Sequence, residues 1–263
     1  MNKLAIVTGA SSGIGYNLAK VFVENGFDVV INSAGERLDS AEGDLQDLGA
    51  NVTSIRADLA TYDGVKHFWA EVEKLGRPVD AAAINAGVGV GGLFAETDLD
   101  KEINLVRLNV ESVVHLSKYV VQHMVARKQG RILITSSIAG EMVAPREAVY
   151  AASKAFDLSF AKSLRAELED TGVTVTALQP GPTDTDFFHR AGMDNTKVGS
   201  EGKKDMQPYD VAKEGFEAMM KGEKHVYTGW KTKVEGATAN ITPDAVKAAM
   251  HEKMAKPKDE KVA

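Results

Sequence analysis

Seven short apolar runs alternate with helical patterns along this chain, and that alternation limits its fold more than any other feature. The runs cover residues 4–7, 29–31, 52–55, 79–84, 132–134, 173–178 and 225–228. Most are continuously apolar, the pattern of parallel strands covered on both faces. Between them Ile14, Leu18, Val21 and Phe22 recur at i, i+4, i+7, i+8, and Val65, Phe68, Trp69 and Val72 at i, i+3, i+4, i+7, each marking one face of a helix. Phe156, Phe160, Leu164 and Leu168 stripe another. Strand–helix alternation with right-handed crossovers predicts a doubly wound α/β fold: one mostly parallel seven-stranded sheet with helices on both faces. No linker or internal repeat divides the chain, so residues 1–256 are expected to form a single domain and 257–263 a frayed, charged tail.

Two stretches break the rhythm. Residues from about 183 to 207 are polar, glycine-dotted and aperiodic, which predicts a mobile surface segment able to close over a ligand. Thr242-Pro243-Asp244 reads as a helix start with Thr242 at the N-cap, the helix running to about Met254.

Composition narrows the function classes. A formal net charge of -6 argues against a nucleic-acid or anionic-membrane surface. No apolar run approaches the ~20 residues needed to span a bilayer. Thr8, Gly9 and Ser11 break the first apolar run too early for a signal peptide. The absence of cysteine removes disulfides, zinc–thiolate sites and thiol catalysis. His67, His115, His123, His189, His225 and His251 are scattered without ligand spacing, so no metal site is expected. A cytoplasmic enzyme or binding protein is the expectation that remains.

Two motifs carry chemistry. Thr8-Gly9-Ala10-Ser11-Ser12-Gly13-Ile14-Gly15 follows the first strand and opens the first helix. Its glycines allow a tight turn and close approach to a ligand, and the helix N-terminus beyond offers N–H groups to a pyrophosphate. It lacks the Lys-Ser/Thr ending of a P-loop. Further on, Tyr150 and Lys154 stand four apart and share a helix face. A phenol of pKa about 10 is a weak acid near neutrality, and a neighbouring cation draws it down; reaching neutrality needs roughly 4 kcal/mol of differential interaction.

Together the loop and the Tyr/Lys pair resemble the short-chain dehydrogenase/reductase family, in its short single-domain branch with a Rossmann-type fold. The match runs over roughly residues 3 to 230. Gly9, Ser11, Ser12, Gly13, Ile14 and Gly15 look like its cofactor loop. Asp58-Leu59 is similar to the pair that holds the adenine, and Asn85-Ala86-Gly87 matches its signature after the fourth strand, with Ile84 where an Asn is usual. Asn109 falls where the family places a structural and catalytic asparagine. Ser137, thirteen residues before Tyr150, falls where it places the catalytic serine, with Ser136 the neighbouring alternative. Pro180 and Gly181, with Thr183 and Thr185 after them, resemble the turn at the nicotinamide end.

The resemblance implies an NAD(P)(H)-dependent oxidoreductase interconverting a carbonyl and an alcohol. Tyr150 would be the general acid/base, Ser137 the oxyanion partner, Lys154 the group that lowers the phenol and holds the ribose, and Asn109 the anchor of a proton relay. Ser33 and Arg37 after the second strand can receive a 2′-phosphate in place of the acid that selects NAD, so NADP(H) is expected over NAD(H). Glu36 nearby, and Ser12 where many NADP-using relatives carry Arg or Lys, weigh the other way. Residues 88–94, 142–145 and 187–188 are expected to border an apolar substrate pocket. A homodimer or homotetramer is implied, paired through helices near residues 110–125 and 150–168. The alternative is a catalytically silent dinucleotide sensor of the same fold.

Overall fold

The computed structural model describes residues 2–201, 206–239 and 242–259. Its strands are β1 (Lys3–Thr8), β2 (Phe27–Ser33), β3 (Val52–Arg56), β4 (Val79–Ile84), β5 (Gly130–Thr135), β6 (Val173–Pro180) and β7 (His225–Thr228). They pair in the order β3-β2-β1-β4-β5-β6-β7, every pair parallel. The seven predicted runs are these strands, lengthened by at most two residues at either end.

The described helices are α1 (Gly13–Glu24), α2 (Arg37–Gln46), α3 (Tyr62–Lys74), α4 (Leu99–Val106), α5 (Ser112–Ala126), α6 (Ala148–Glu167), α7 (Phe187–Arg190), α8 (Lys197–Glu201), α9 (Pro208–Lys221), α10 (Trp230–Ala239) and α11 (Asp244–Ala255). A π-helical turn, Arg107–Glu111, joins α4 to α5, and a 3-10 turn, Ile138–Glu141, precedes α6. Leu18 and Phe22 of α1, Leu38 of α2 and Phe216 of α9 cover one sheet face. Phe68 and Trp69 of α3, Leu116 of α5 and Leu158 of α6 cover the other. Burial on both faces is why the strands are continuously apolar. The chain reverses its winding direction between β1 and β4, so a crevice opens beyond their carboxyl ends, where open α/β sheets bind ligands.

Four local expectations are corrected. Of the expected α6 stripe, Leu168 is in the core and Phe160 and Leu164 pack against it, while Phe156 stacks on Phe160 outside it; the most deeply buried face is Ala151, Lys154, Asp157, Leu158 and Ala161. The segment after β6 is not a loose loop: Phe188, Ala191 and Met193 pack with Ala255 of α11 in a small core of their own. Pro257 bridges to Thr196, and the Lys258 amide donates to the Asn195 carbonyl, so residues 257–259 are tied down rather than frayed. The rest of the expected tail, 260–263, lies outside the described residues, as does part of the 183–207 stretch. Thr242 does not cap α11; its hydroxyl donates back to the Thr238 carbonyl at 2.9 Å and Pro243 takes the cap position.

Candidate active site

The turn from β1 into α1 is shaped by glycine. Gly9 and Gly13 have φ of 67° and 59°, in the left-handed region where a side chain is strained. A Cβ on Gly9 would lie 2.9 Å from the Ala86 Cα, and one on Gly15 would lie 2.2 Å from the Gly9 carbonyl oxygen. The turn is thus pressed against the end of β4, and α1 presents its N-terminus without a side-chain cap from Ser12. Thr8 fixes the contact: its hydroxyl accepts from the amides of Asn85 and Ala86 at 2.9 and 3.0 Å. The Asn85 side chain donates to the Thr8 carbonyl and accepts from Thr135 at 3.1 Å each, tying β1, β4 and β5 together at one level.

Ser33, at the end of β2, donates to the Ser11 hydroxyl at 3.0 Å. Arg37 forms an exposed ion pair with Asp186. Asp58 is exposed beside the crevice and turns one oxygen to the Ala60 amide, whereas Leu59 is buried. Arg190 reaches across from α7 and donates to the Ser12 hydroxyl at 2.8 Å. Sequence patterns could not find Arg190, because it lies 178 residues from its partner.

The other half of the crevice is built by α6. Tyr150 stands in its first turn and Lys154 one turn on, buried. The Lys154 ammonium donates to the Thr135 carbonyl and to Asp157 Oδ2, each at 2.9 Å. Ser136 turns away, donating to the Lys154 carbonyl at 2.6 Å, while Ser137 lines the cavity with Tyr150, its hydroxyl donating to the Pro180 carbonyl at 3.4 Å and accepting from the Ala139 amide at 3.1 Å. Asn109, wholly buried in the π-helical turn, clamps Val88 through two 2.9 Å hydrogen bonds and donates to Ser153 at 3.1 Å. Both of its N–H groups are therefore engaged, and any relay would use a lone pair or a carbonyl freed by the π turn.

Burial pushes the Tyr150 phenol well above its ordinary value; the Glu147 carboxylate adds to this, the nearby Ser137 hydroxyl opposes it and Asp157 pushes it further up. Lys154 was expected to draw the phenol down. Its ammonium instead faces the buried Asp157 carboxylate, so the protein's own groups leave Tyr150 a firmly held proton.

A cavity of about 1020 Å³ is lined by the glycine turn, Ser33, Asp58, Tyr150, Lys154 and the turn at Pro180–Thr185. That is at the top of the range of ~300–1,000 Å³ for small-molecule sites. Phe187 lies over Gly89 and its ring sits 5.1 Å from that of Tyr150. Met142 and Phe188, with Met250 and Met254 of α11, complete an apolar wall. Of the residues expected to border it, Leu93, Phe94 and Val143 are instead exposed, Phe94 at 65%.

The wall that sequence analysis missed is α11. His251 Nδ1 donates to the Pro145 carbonyl at 3.0 Å, and its Nε2 lies 3.1 Å from Glu147 Oε2. Both ring nitrogens thus face oxygen acceptors. Arg146 pairs with Glu252 at 2.9 Å beside it.

The sheet, its switch point and the glycine turn define a Rossmann-type α/β fold. A family model described as short chain dehydrogenase matches residues 3–196. "Oxidoreductase UcpA" of Salmonella typhimurium is 34% identical over 183 residues, 68% of this chain and 68% of that one. The "3-oxoacyl-[acyl-carrier-protein] reductase FabG" of Staphylococcus epidermidis is 34% identical over 184 residues, 69% of this chain and 75% of that one. A solved short-chain dehydrogenase from Sphingobium yanoikuyae in complex with NADPH superposes with a TM-score of 0.81 at 25% identity, covering 99% of this chain and 98% of that one. The chain belongs to the short-chain dehydrogenase/reductase family.

Proposed function

We propose that this protein reduces an apolar aldehyde or ketone, and oxidises the corresponding alcohol, with NADP(H). The observation that carries the reading is the single cavity shared by Tyr150, Ser137, Lys154 and the glycine turn at the N-terminus of α1. The residues fit a dinucleotide: Gly9, Gly13 and Gly15 leave backbone where side chains would fill the turn, and Ser11 to Ile14 put unsatisfied N–H groups there. Asp58 and Leu59 would hold the adenine end, and Asn85 to Gly87 with Pro180, Gly181, Thr183 and Thr185 the nicotinamide end. When bound, the cofactor supplies or accepts the hydride.

The chain's own groups handle the proton. Tyr150 donates to the carbonyl oxygen, and Ser137, on the same oxygen, stabilises the charge that develops there. The phenol carries its proton at neutral pH, the form that reduction needs. Lys154 keeps one N–H for a ligand after Thr135 and Asp157 have taken two.

Two features support NADP(H). The end of β2 carries neutral Ser33 rather than an acid, and Arg190 brings a cation to Ser12, where the sequence shows none. The wall of Phe and Met side chains favours apolar substrates of varied shape. The test is a panel of aldehydes, ketones and alcohols with both cofactors, followed by nicotinamide absorbance. NADPH consumption on apolar carbonyls supports the reading; cofactor binding without turnover across the panel would replace it with a sensor.

A further inference from the structure

We infer that Asp157 is a positioning residue for Lys154: its carboxylate holds the ammonium at the floor of the site and cancels the field that Lys154 would otherwise exert on Tyr150. The inference rests on the proposed proton donor but concerns its control. Asp157 and Lys154 are three apart on α6, 2.9 Å apart in space, and their side chains are 0% and 5% exposed. The second Asp157 oxygen, Oδ1, is buried and has no hydrogen-bond partner. The fold does not demand such an acid, because Lys154 already has the Thr135 carbonyl, and buried ion pairs are weak contributors to stability. Desolvation raises the Asp157 carboxyl and the Lys154 charge opposes that.

The electrostatic consequence follows from the pairing. A lone buried ammonium acts on Tyr150 as a full charge, whereas an ammonium facing a carboxylate acts as a dipole whose field falls off faster. Other acids on the elements packed against α6 have partners of their own. Glu147, which precedes α6, lies on His251 of α11, Glu141 of the 3-10 turn accepts from Gln179 and Tyr227, and Glu102 of α4 accepts from Thr97. Asp157 is thus the acid opposed to Lys154.

The test uses the full chain without turnover. With 3-fluorotyrosine incorporated to bring phenol titrations into a range the fold tolerates, 19F NMR follows Tyr150, its resonance assigned through Tyr150→Phe. Relative to wild type, Asp157→Asn is expected to raise the Tyr150 ionisation constant by about tenfold or more, one pH unit. The double variant Lys154→Gln/Asp157→Asn, which buries no charge, is expected to stay within about threefold of wild type, because both halves of a cancelling pair are gone. An unshifted Asp157→Asn overturns the inference. So does a double variant whose ionisation constant falls about tenfold, since that shows Lys154 acting unopposed; this comparison decides the matter even if Asp157→Asn fails to fold. Since no substrate is needed, either result stands apart from success or failure of the proposed reaction.

Discussion

The Arg190 guanidinium donates to the Ser12 hydroxyl at 2.8 Å, so α7 carries a cation onto the turn that opens α1. In the proposed complex that cation faces cofactor phosphate. Arg190→Ala is expected to weaken NADPH binding about tenfold, the worth of one charge-assisted hydrogen bond. Fluorescence titration with NADPH and NADH measures it. Unchanged NADPH affinity would remove Arg190 from the cofactor site.

Phe187 covers the Tyr150 ring at 5.1 Å and belongs to the apolar wall. Phe187→Ala removes a ring that borders the substrate pocket and packs on the Tyr150 ring, while leaving the Tyr150 hydroxyl itself in place. KM for an apolar ketone is expected to rise about tenfold while kcat changes by less than about threefold, the pattern of lost uniform binding. Steady-state kinetics separates the two, and a collapse of kcat at constant KM would mean that Phe187 shapes the reacting geometry instead.

The fold and much of the proposed site were legible, and the limits have physical causes. Continuous apolar runs exposed the strands, because burial on both faces leaves a one-dimensional signal. The glycine turn and the Tyr150/Lys154 spacing are local, so they could be read directly. Asp157 could not: hydrophobic periodicity picked out Phe156 and Phe160, while the buried face of α6 holds a charged pair that such a pattern counts as solvent-facing. An acid three residues after the lysine was the available signal. Arg190 on Ser12 and His251 on Glu147 join distant segments, and nothing in their neighbouring residues announces the contact.

His251 and Glu147 pin α11 over the cavity, both side chains under a tenth exposed. His251→Ala leaves a buried carboxylate without its partner. A loss of about 1–3 kcal/mol is expected, together with faster amide exchange across Asp244–Ala255 and a higher KM. Exchange protection equal to wild type would show that α11 is held by its apolar contacts alone.

Asp28 at the start of β2 accepts from Arg77 at 2.8 Å, with side chains 5% and 22% exposed. Burial pushes its carboxyl up, but hydrogen bonds from Arg77, Asn2 and Asn51 outweigh this and hold it below its ordinary value. Such a group stabilises the fold above its unfolded value of about 3.9, and the contribution fades as pH falls through the lowered folded value. Thermal melts between about pH 6 and pH 3 are therefore expected to show a steeper acid loss for wild type than for Asp28→Asn. Arg77→Met, which strands the buried carboxylate, should cost about 3 kcal/mol at neutral pH. Parallel acid profiles for wild type and Asp28→Asn would contradict the assignment.

The central claim is that Tyr150 transfers the proton, and Tyr150→Phe tests it with the ring retained. NADPH affinity is expected to stay within about twofold while kcat for carbonyl reduction falls about 10³-fold, within the range for a lost general acid. Turnover close to wild type in Tyr150→Phe would contradict it.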